Sequence, residues 1–481
     1  MKFAALFGFG QSAASSRKLS DSMSSISRRS FLAGSGALFA SPAVAVAQSA
    51  EVDVVIVGAG AAGIAAARRV TAANRSFRLY EASNRVGGRC VTDSKIFGVP
   101  FDLGAHWIHN PDSNPLRRLA SGFDIYPAPA GQTVRVGPRK ARDSELENFL
   151  AAQVRAHRAF TDTAKPKTEV AATALPRDLA EWQATIEFML GPFAVGKELK
   201  DVSAADLART AERESYAFCR QGYGALLAKL AAGLPVQLET PVDAIVWGNK
   251  LAVHTPKRNI IPRAVIVTVS TNVLTSEKIE FFPRLPKRQL DAAAKLSLGS
   301  FDHIALDMPG NPLGLQRDDL VFEQVLGPRT AALLANVSGT SLHLVEVAGD
   351  FGRELSAQGQ PAMIDFASEW LASLFDSNVK RKIKRSYATR WNEEPWVLGA
   401  LSAASPNESD ARRILMEPLD GRLWLAGEAV HETQWGTVAG AWESGTRASE
   451  AALRRIGALK EGDEKRPTRR ERGPRRRSGD D

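Results

Sequence analysis

The clearest pattern along the chain is a set of short apolar runs separated by long amphipathic stretches. Val52-Asp53-Val54-Val55-Ile56-Val57 is β-branched and nearly all apolar, which predicts a strand buried on both faces of a parallel sheet. An Ala-rich helical stretch follows through Val70, and then a second strand, Phe77-Arg78-Leu79-Tyr80. Ala264–Val269 and Leu423–Ala426 repeat the buried-strand pattern far downstream. Residues 142–232 are rich in helix formers, and Pro176, Gly191-Pro192 and Gly196 divide them into several helices. Gly222-Tyr223-Gly224 then precedes Leu226-Leu227 and a strand region over Val236–Val246. Residues 300–390 mix strand-like runs, Ile304–Leu306 and Leu342–Val347, with a helix near Ala362–Phe375. Buried strands alternating with helices predict an α/β fold, with a second sheet-and-helix region of its own. No internal repeat is visible.

The first strand runs directly into Gly58-Ala59-Gly60-Ala61-Ala62-Gly63, and the second ends at Glu81. In this pattern Gly58 permits a tight turn, Gly60 lets the backbone approach a pyrophosphate, and Gly63 lets helix and strand pack closely. The helix N-terminus offers N–H groups and a positive dipole end to the phosphates. Glu81 sits about 20 residues on, where a carboxylate accepts from a ribose hydroxyl. A structural turn does not account for Glu81, so the unit predicts a dinucleotide site. Arg85-Val86-Gly87-Gly88-Arg89 adds a second glycine pair and two guanidiniums, more than a nicotinamide site needs.

That segment resembles the flavin-containing amine oxidase family, the monoamine and polyamine oxidases. Phe101-Asp102-Leu103-Gly104-Ala105-His106-Trp107-Ile108-His109 is similar to a polyamine oxidase segment. Gly427-Glu428 and Trp435-Gly436-Thr437-Val438-Ala439-Gly440-Ala441, continuing through Ser444, Gly445 and Arg447, are similar to the family's C-terminal flavin motif. The resemblance covers about 52–456. It implies an α/β, Rossmann-like FAD-binding domain of the glutathione-reductase and amine-oxidase type, built from 51–110, 215–297 and 390–456. A discontinuous α+β substrate domain would comprise 111–214 and 298–389. By the same resemblance, the FAD-binding residues are Gly58, Gly60, Ala62, Gly63, Glu81, Ala82, Arg85, Gly87, Gly88, Arg89, Gly104, Ala105, His106, Trp107, Val242, Gly427, Glu428, Gly436, Thr437 and Val438.

The chemistry implied is oxidation of a primary or secondary amine to an imine, with O₂ reduced to H₂O₂. Four positions test the match. His303 stands where the family carries a lysine that holds water beside the flavin, and an unperturbed imidazole would titrate near pH 6.5. Ala400 stands near the covalent cysteine of monoamine oxidases, so FAD is expected to be noncovalent. Leu401 occupies one aromatic-cage position, leaving Trp435 as the other wall and Trp396 as a helper. His109 matches a histidine that polyamine oxidases place near the substrate amine. Gly104-Ala105-His106-Trp107 lacks the carboxylate-clamping arginine of amino-acid oxidases at that place. Glu181, Glu187 and Glu198 are candidates to attract a distal ammonium. The catalytic expectation therefore rests on His303, His109 and Trp435. The alternatives are a flavin dehydrogenase or desaturase with another acceptor, an L-amino-acid oxidase, or a non-catalytic flavin-binding protein.

Composition changes this picture little. The chain has 481 residues, 44% hydrophobic and 24% charged, within the ordinary globular range. Cys90 and Cys219 are the only cysteines, and no H-E-x-x-H or C-x-x-C occurs, so no metal site is expected. The formal charge of +9 is concentrated at the two ends, which argues against nucleic acid as a partner. Residues 457–481, with Arg475-Arg476-Arg477, read as a basic disordered tail. Arg28-Arg29 precede an uncharged run from Phe31 to Ala47 that ends Ala45-Val46-Ala47. This predicts a twin-arginine signal peptide over 1–47, with Met23 as a plausible start and a mature chain from near Gln48. The run is shorter than the roughly 20 apolar residues of a membrane span, so no stable span is expected. The expected location is the periplasm or the exterior, reached through the twin-arginine export machinery.

Overall fold

The computed structural model describes residues 52–129, 131–161, 169–210, 213 and 215–460. The twin-arginine segment and the Arg475–Arg477 tail lie outside them.

Five parallel strands form one sheet in the order Val236–Gln237, Phe77–Tyr80, Val52–Val57, Pro262–Val267, Leu423–Leu425. Four of these are the runs that pattern alone marked as buried strands. Val54, Val55, Ile56, Ala264, Val265 and Ile266 have no exposed surface, as strands covered on both faces require. The central strand, Val52–Val57, lies between Phe77–Tyr80 and Pro262–Val267, and Leu423–Leu425 pairs with the latter, so segments distant in the chain meet at the sheet's C-terminal edge.

Two helices pack together across one face, Ala61–Ala72 and Val438–Arg455. A Cβ placed on Gly445 would lie 2.0 Å from the Ala62 carbonyl oxygen, so the C-terminal helix can approach the first only with glycine there. Gly63 plays the equivalent part toward the turn before it, since a Cβ would lie 1.9 Å from Gly58 O.

The second sheet has seven strands, ordered Arg385–Ala388, Phe301–Asp307, Leu342–Ala348, Ala332–Ala335, Asp319–Glu323, Thr133–Val136, Arg139–Lys140. Helix Gln360–Leu374 covers one face through Met363, Ala367 and Leu371. The strand expected as one region over 236–246 is two. Val236–Gln237 joins the parallel sheet and Ala244–Val246 a separate four-stranded one. The break falls where Glu239 turns with φ 47° and Pro241 cannot donate to a ladder. Strand Tyr216–Cys219, inside the stretch read as helical, pairs with Ile108–His109 and Ile125–Pro127. No helix among the described residues is long and apolar enough to cross a membrane.

Candidate active site

A cavity of about 1090 Å³ runs from the edge of the parallel sheet to the seven-stranded sheet. It exceeds the roughly 300–1,000 Å³ of an ordinary small-molecule pocket. Its two ends are chemically different.

At the first end lie Gly58, Gly60, Ala62, Glu81, Ala82, Arg85, Gly87, Gly88 and Arg89. Gly58 adopts φ +98°, a conformation that costs a side chain. Gly60 and Gly88 face each other. A Cβ on Gly60 would meet only the Gly88 Cα, at 3.9 Å, so the space beside this backbone is open. The Ala59 N–H donates to Glu81 Oε2 at 2.7 Å, and the Ser83 N–H and hydroxyl donate to Oε1 at 2.9 and 2.8 Å. Glu81 is thus fixed at the cavity wall with lone pairs to spare.

Gly427, Glu428, Gly436, Thr437 and Val438 reach the same cavity from the C-terminal end of the chain. Glu428 ties the motifs together. Arg89 Nη1 donates to its Oε1 at 2.9 Å, and Ser402 Oγ and the Gly436 N–H donate to Oε2 at 2.6 and 2.8 Å. Burial pushes the Glu428 carboxyl up, but the Arg89 guanidinium, the Ser402 hydroxyl and Arg412 together hold it below the usual value. Thr437 caps the last helix by accepting from the Gly440 N–H at 2.9 Å. Gly104, Ala105, His106, Trp107 and Val242 also line the cavity. Gly63 does not, and its part is helix packing.

The second end is aromatic, and its histidines are uncharged. Trp107 lies 4.7 Å from Phe218 and 5.7 Å from Tyr216, ring centre to ring centre, and Phe193 packs against Phe301 and Phe322. His109 sits 5.3 Å from Tyr216. Burial, reinforced by Arg213, lowers its imidazole to about 3. His303 lines the cavity from strand Phe301–Asp307, where burial lowers it to about 4. The limb near pH 6.5 expected of a free imidazole is therefore corrected downward, because burial outweighs the Asp102 carbonyl contact that favours the charged ring. Behind it, Glu346 Oε1 lies 3.4 Å from His303 Nε2 and 3.6 Å from His106 Nε2. These ligand atoms lie within 4.8 Å of one another, a cluster that motif counting could not reveal.

Several expectations need correction. Trp435 is fully buried and does not line the cavity. Its indole lies between the Arg412 and Arg213 guanidiniums, 4.3 and 5.1 Å from the ring centre, where cation–π attraction holds it in the core. Trp107, Tyr216, Trp396 and Leu401 form the wall instead. Glu181, Glu187 and Glu198 do not line the cavity either. Glu181 is exposed, Glu187 accepts from Gln183, and Glu198 accepts from the Asp350 N–H. Sequence reading missed Glu346, Tyr216 and Arg213. Only Glu346 left a signal, as the one acid inside the apolar run Leu342–Val347.

A glycine floor, a fixed carboxylate at the strand end and two convergent helix N-termini define a dinucleotide-binding oxidoreductase fold. The sequence matches the family described as flavin containing amine oxidoreductase over residues 61–206 and 176–453, and the chain belongs to it. It is 25% identical to the human lysine-specific histone demethylase 2 over 82% of this chain and 52% of that protein. It is 26% identical to the probable polyamine oxidase 4 of Arabidopsis thaliana over 84% of this chain and 87% of that one. The chain thus spans about half the length of the demethylase. The solved structure of putrescine oxidase bound to putrescine superposes with a TM-score of 0.72 at 18% identity, covering 84% and 99% of the two chains. FAD is the family's cofactor, and the open backbone at Gly60 and Gly88 fits its pyrophosphate.

Proposed function

We propose that this protein oxidises a primary or secondary amine to the imine, with O₂ as the acceptor reduced to H₂O₂. The observation that carries this reading is the continuity of the cavity, from a floor built for a dinucleotide to an aromatic chamber. FAD held by Gly58, Gly60, Glu81, Gly88, Arg89, Glu428 and Thr437 would supply two-electron redox chemistry, accepting a hydride equivalent. Trp107, Tyr216, Phe193 and Phe301 bind and orient the carbon chain and exclude water. The depressed His303 and His109 leave that chamber without a cation of its own on those two side chains, so an amine enters best as the free base. His303 stands at the wall with its Nδ1–H donating to the Asp102 carbonyl oxygen at 3.1 Å.

FAD is held without a covalent bond in this reading. Ala400 lines the cavity in place of a cysteine, and Cys90, also lining it, is kept as an unreactive thiol by burial. Acid precipitation should leave the yellow cofactor in the supernatant; colour in the pellet would defeat the claim. A panel of amines, followed by H₂O₂ release and by anaerobic bleaching of the flavin, tests the main reading. Bleaching with slow reoxidation by O₂ would point to a dehydrogenase. No bleaching with any amine would reject catalysis on this class.

A second reading, an amine that also bears a carboxylate, rests on Arg213. Its guanidinium lines the cavity, and its buried Nε has no hydrogen-bond partner among the described residues. Amino acids in the same panel separate the two. We further infer export by the twin-arginine route, on the strength of Arg28-Arg29 and the small-residue end of the run. Arg28→Lys with Arg29→Lys should strand activity in the cytoplasm, and unchanged periplasmic activity would refute the route.

A further inference from the structure

Glu346, His303 and His106 are buried together at the chamber wall, and the mechanism so far uses only one of them. His303 and Glu346 are directly opposite on paired strands, Phe301–Asp307 and Leu342–Ala348. One carboxylate oxygen, Oε1, faces both imidazoles, at 3.4 Å from His303 Nε2 and 3.6 Å from His106 Nε2. His303 Nδ1 lies 3.1 Å from the Asp102 carbonyl oxygen. A carbonyl only accepts, so Nδ1 carries the hydrogen and Nε2 offers its lone pair to Glu346. Among the described residues, neither Glu346 oxygen nor either His106 nitrogen has another hydrogen-bond partner.

We infer that Glu346, His303 and His106 share one proton, and that this buried store supplies the proton consumed when O₂ accepts the electron pair. The inference rests on the amine-oxidase reading for its use, but not for its existence. An ionised carboxylate with no donor in an apolar wall is costly, whereas the neutral acid satisfies itself by donating its O–H to an imidazole. Burial accordingly pushes the Glu346 carboxyl up to about 8 and keeps both histidines neutral.

The other ionisable groups around the cluster are engaged elsewhere. Asp102 turns its carboxylate to Thr92 and to the Tyr223 and Gly224 N–H groups. Asp302, beside His303, accepts from Thr389 and the Trp391 N–H on the opposite face. The strand on the other side of Glu346 places Ala332 against it. On the adjoining helix Gly349–Ala357, Asp350 pairs with Lys200, Arg353 donates to Leu298 O and Asn392, and Glu354 is exposed. His109 approaches only from beyond His106. The same three groups have the spacing to hold a divalent cation instead, and chelator dialysis separates the two.

The step balances. Removing the amine α C–H as a hydride equivalent leaves an iminium, and O₂ needs that electron pair, that proton and one more proton to become H₂O₂. The second proton leaves the Glu346 O–H bond and forms an N–H bond at His106 Nε2, while His106, which lines the cavity, releases the proton of its other ring nitrogen there. Solvent water later restores the carboxyl. Glu346 is thus a positioning residue acting through the histidines.

Infrared spectroscopy of the resting FAD-loaded enzyme tests this without any substrate. A protonated-carboxyl band should be present at pH 6, fade with a midpoint near pH 8, and vanish in Glu346→Gln. A spectrum at pH 6 with no band sensitive to that substitution would overturn the proposal. If Glu346→Gln does not load FAD, His303→Gln carries the test, since the band must shift when its acceptor changes. A band that stays put then overturns it. One equivalent of divalent metal per chain, retained through chelator dialysis, would also overturn it in favour of a metal site. In turnover, Glu346→Gln should slow reoxidation by about ten-fold or more, within the span of a positioned proton donor, and remove its alkaline limb. Unchanged reoxidation by O₂ alongside the infrared band would refute the supply role while leaving the shared proton standing.

Discussion

The two ends of the cavity solve opposite electrostatic problems. At the glycine end every named acid is bonded: Glu81 to backbone and hydroxyl donors, Glu428 to Arg89, Ser402 and Gly436. At the aromatic end the titratable groups, His109, His303, His106 and Glu346, are buried without opposite charges strong enough to ionise them. The first arrangement holds a charged ligand by fixed dipoles and carboxylates. The second keeps the imidazoles and the carboxyl uncharged beside the Arg213 guanidinium, where an uncharged amine is favoured and proton positions are set by burial. A large fixed ligand needs satisfied partners, and a reacting site benefits from groups whose protonation still has room to change.

Substitutions at the two ends should therefore fail in different ways. The largest effect is expected at the glycine end. Gly60→Val fills the open space beside the backbone and should abolish FAD loading, read as loss of flavin absorbance in the purified protein. A yellow, fully loaded variant would break the contrast.

At the aromatic end, loading should survive while rate falls. His303→Ala is expected to lower turnover per bound flavin by about ten- to ten-thousand-fold. His303→Lys, which restores the family's group, should keep much of the activity. The wild-type limb carried by His303 is expected near pH 4 rather than 6.5. If the Ala variant loses only thermal midpoint and keeps its rate per flavin, His303 leaves the catalytic set.

Trp435 should behave as core rather than as wall. Trp435→Ala is expected to cost about 3–5 kcal/mol of stability, the usual price of deleting a buried aromatic, with little change in KM for the molecules that remain loaded. A large rise in KM at constant stability would return Trp435 to the substrate wall.

The smallest effect expected is a slope. A folded-state Glu346 near 8 lies above the ordinary unfolded value of 4.5, so the folded state binds the extra proton between those values. Stability contributed by that proton is present below about pH 4.5 and lost as pH rises through about 8. Glu346→Gln should flatten the fall in melting temperature over that range, and an unaltered slope would contradict a neutral carboxyl.

The parallel sheet and its glycine end were legible because each signal is local. A β-branched run, three glycines and an acid sit within one strand–helix–strand unit, where spacing alone dictates geometry. The C-terminal motif was legible for the same reason, through Gly436-Thr437-Val438 opening a helix. The aromatic end was not. Tyr216 lies on a short strand hidden in helix-rich sequence, and its neighbours Trp107 and His109 arrive from another segment. Trp435 misled because its place beside Gly436 suggested the cavity, while two arginines from elsewhere claimed its ring.

The α/β class, the dinucleotide unit and the family could be read from residues alone, since these depend on backbone conformations that few residues permit. Which side chains face the chamber, and which of them carry protons, came from packing. Those depend on strand register, as between His303 and Glu346, and on burial, which no segment can specify alone.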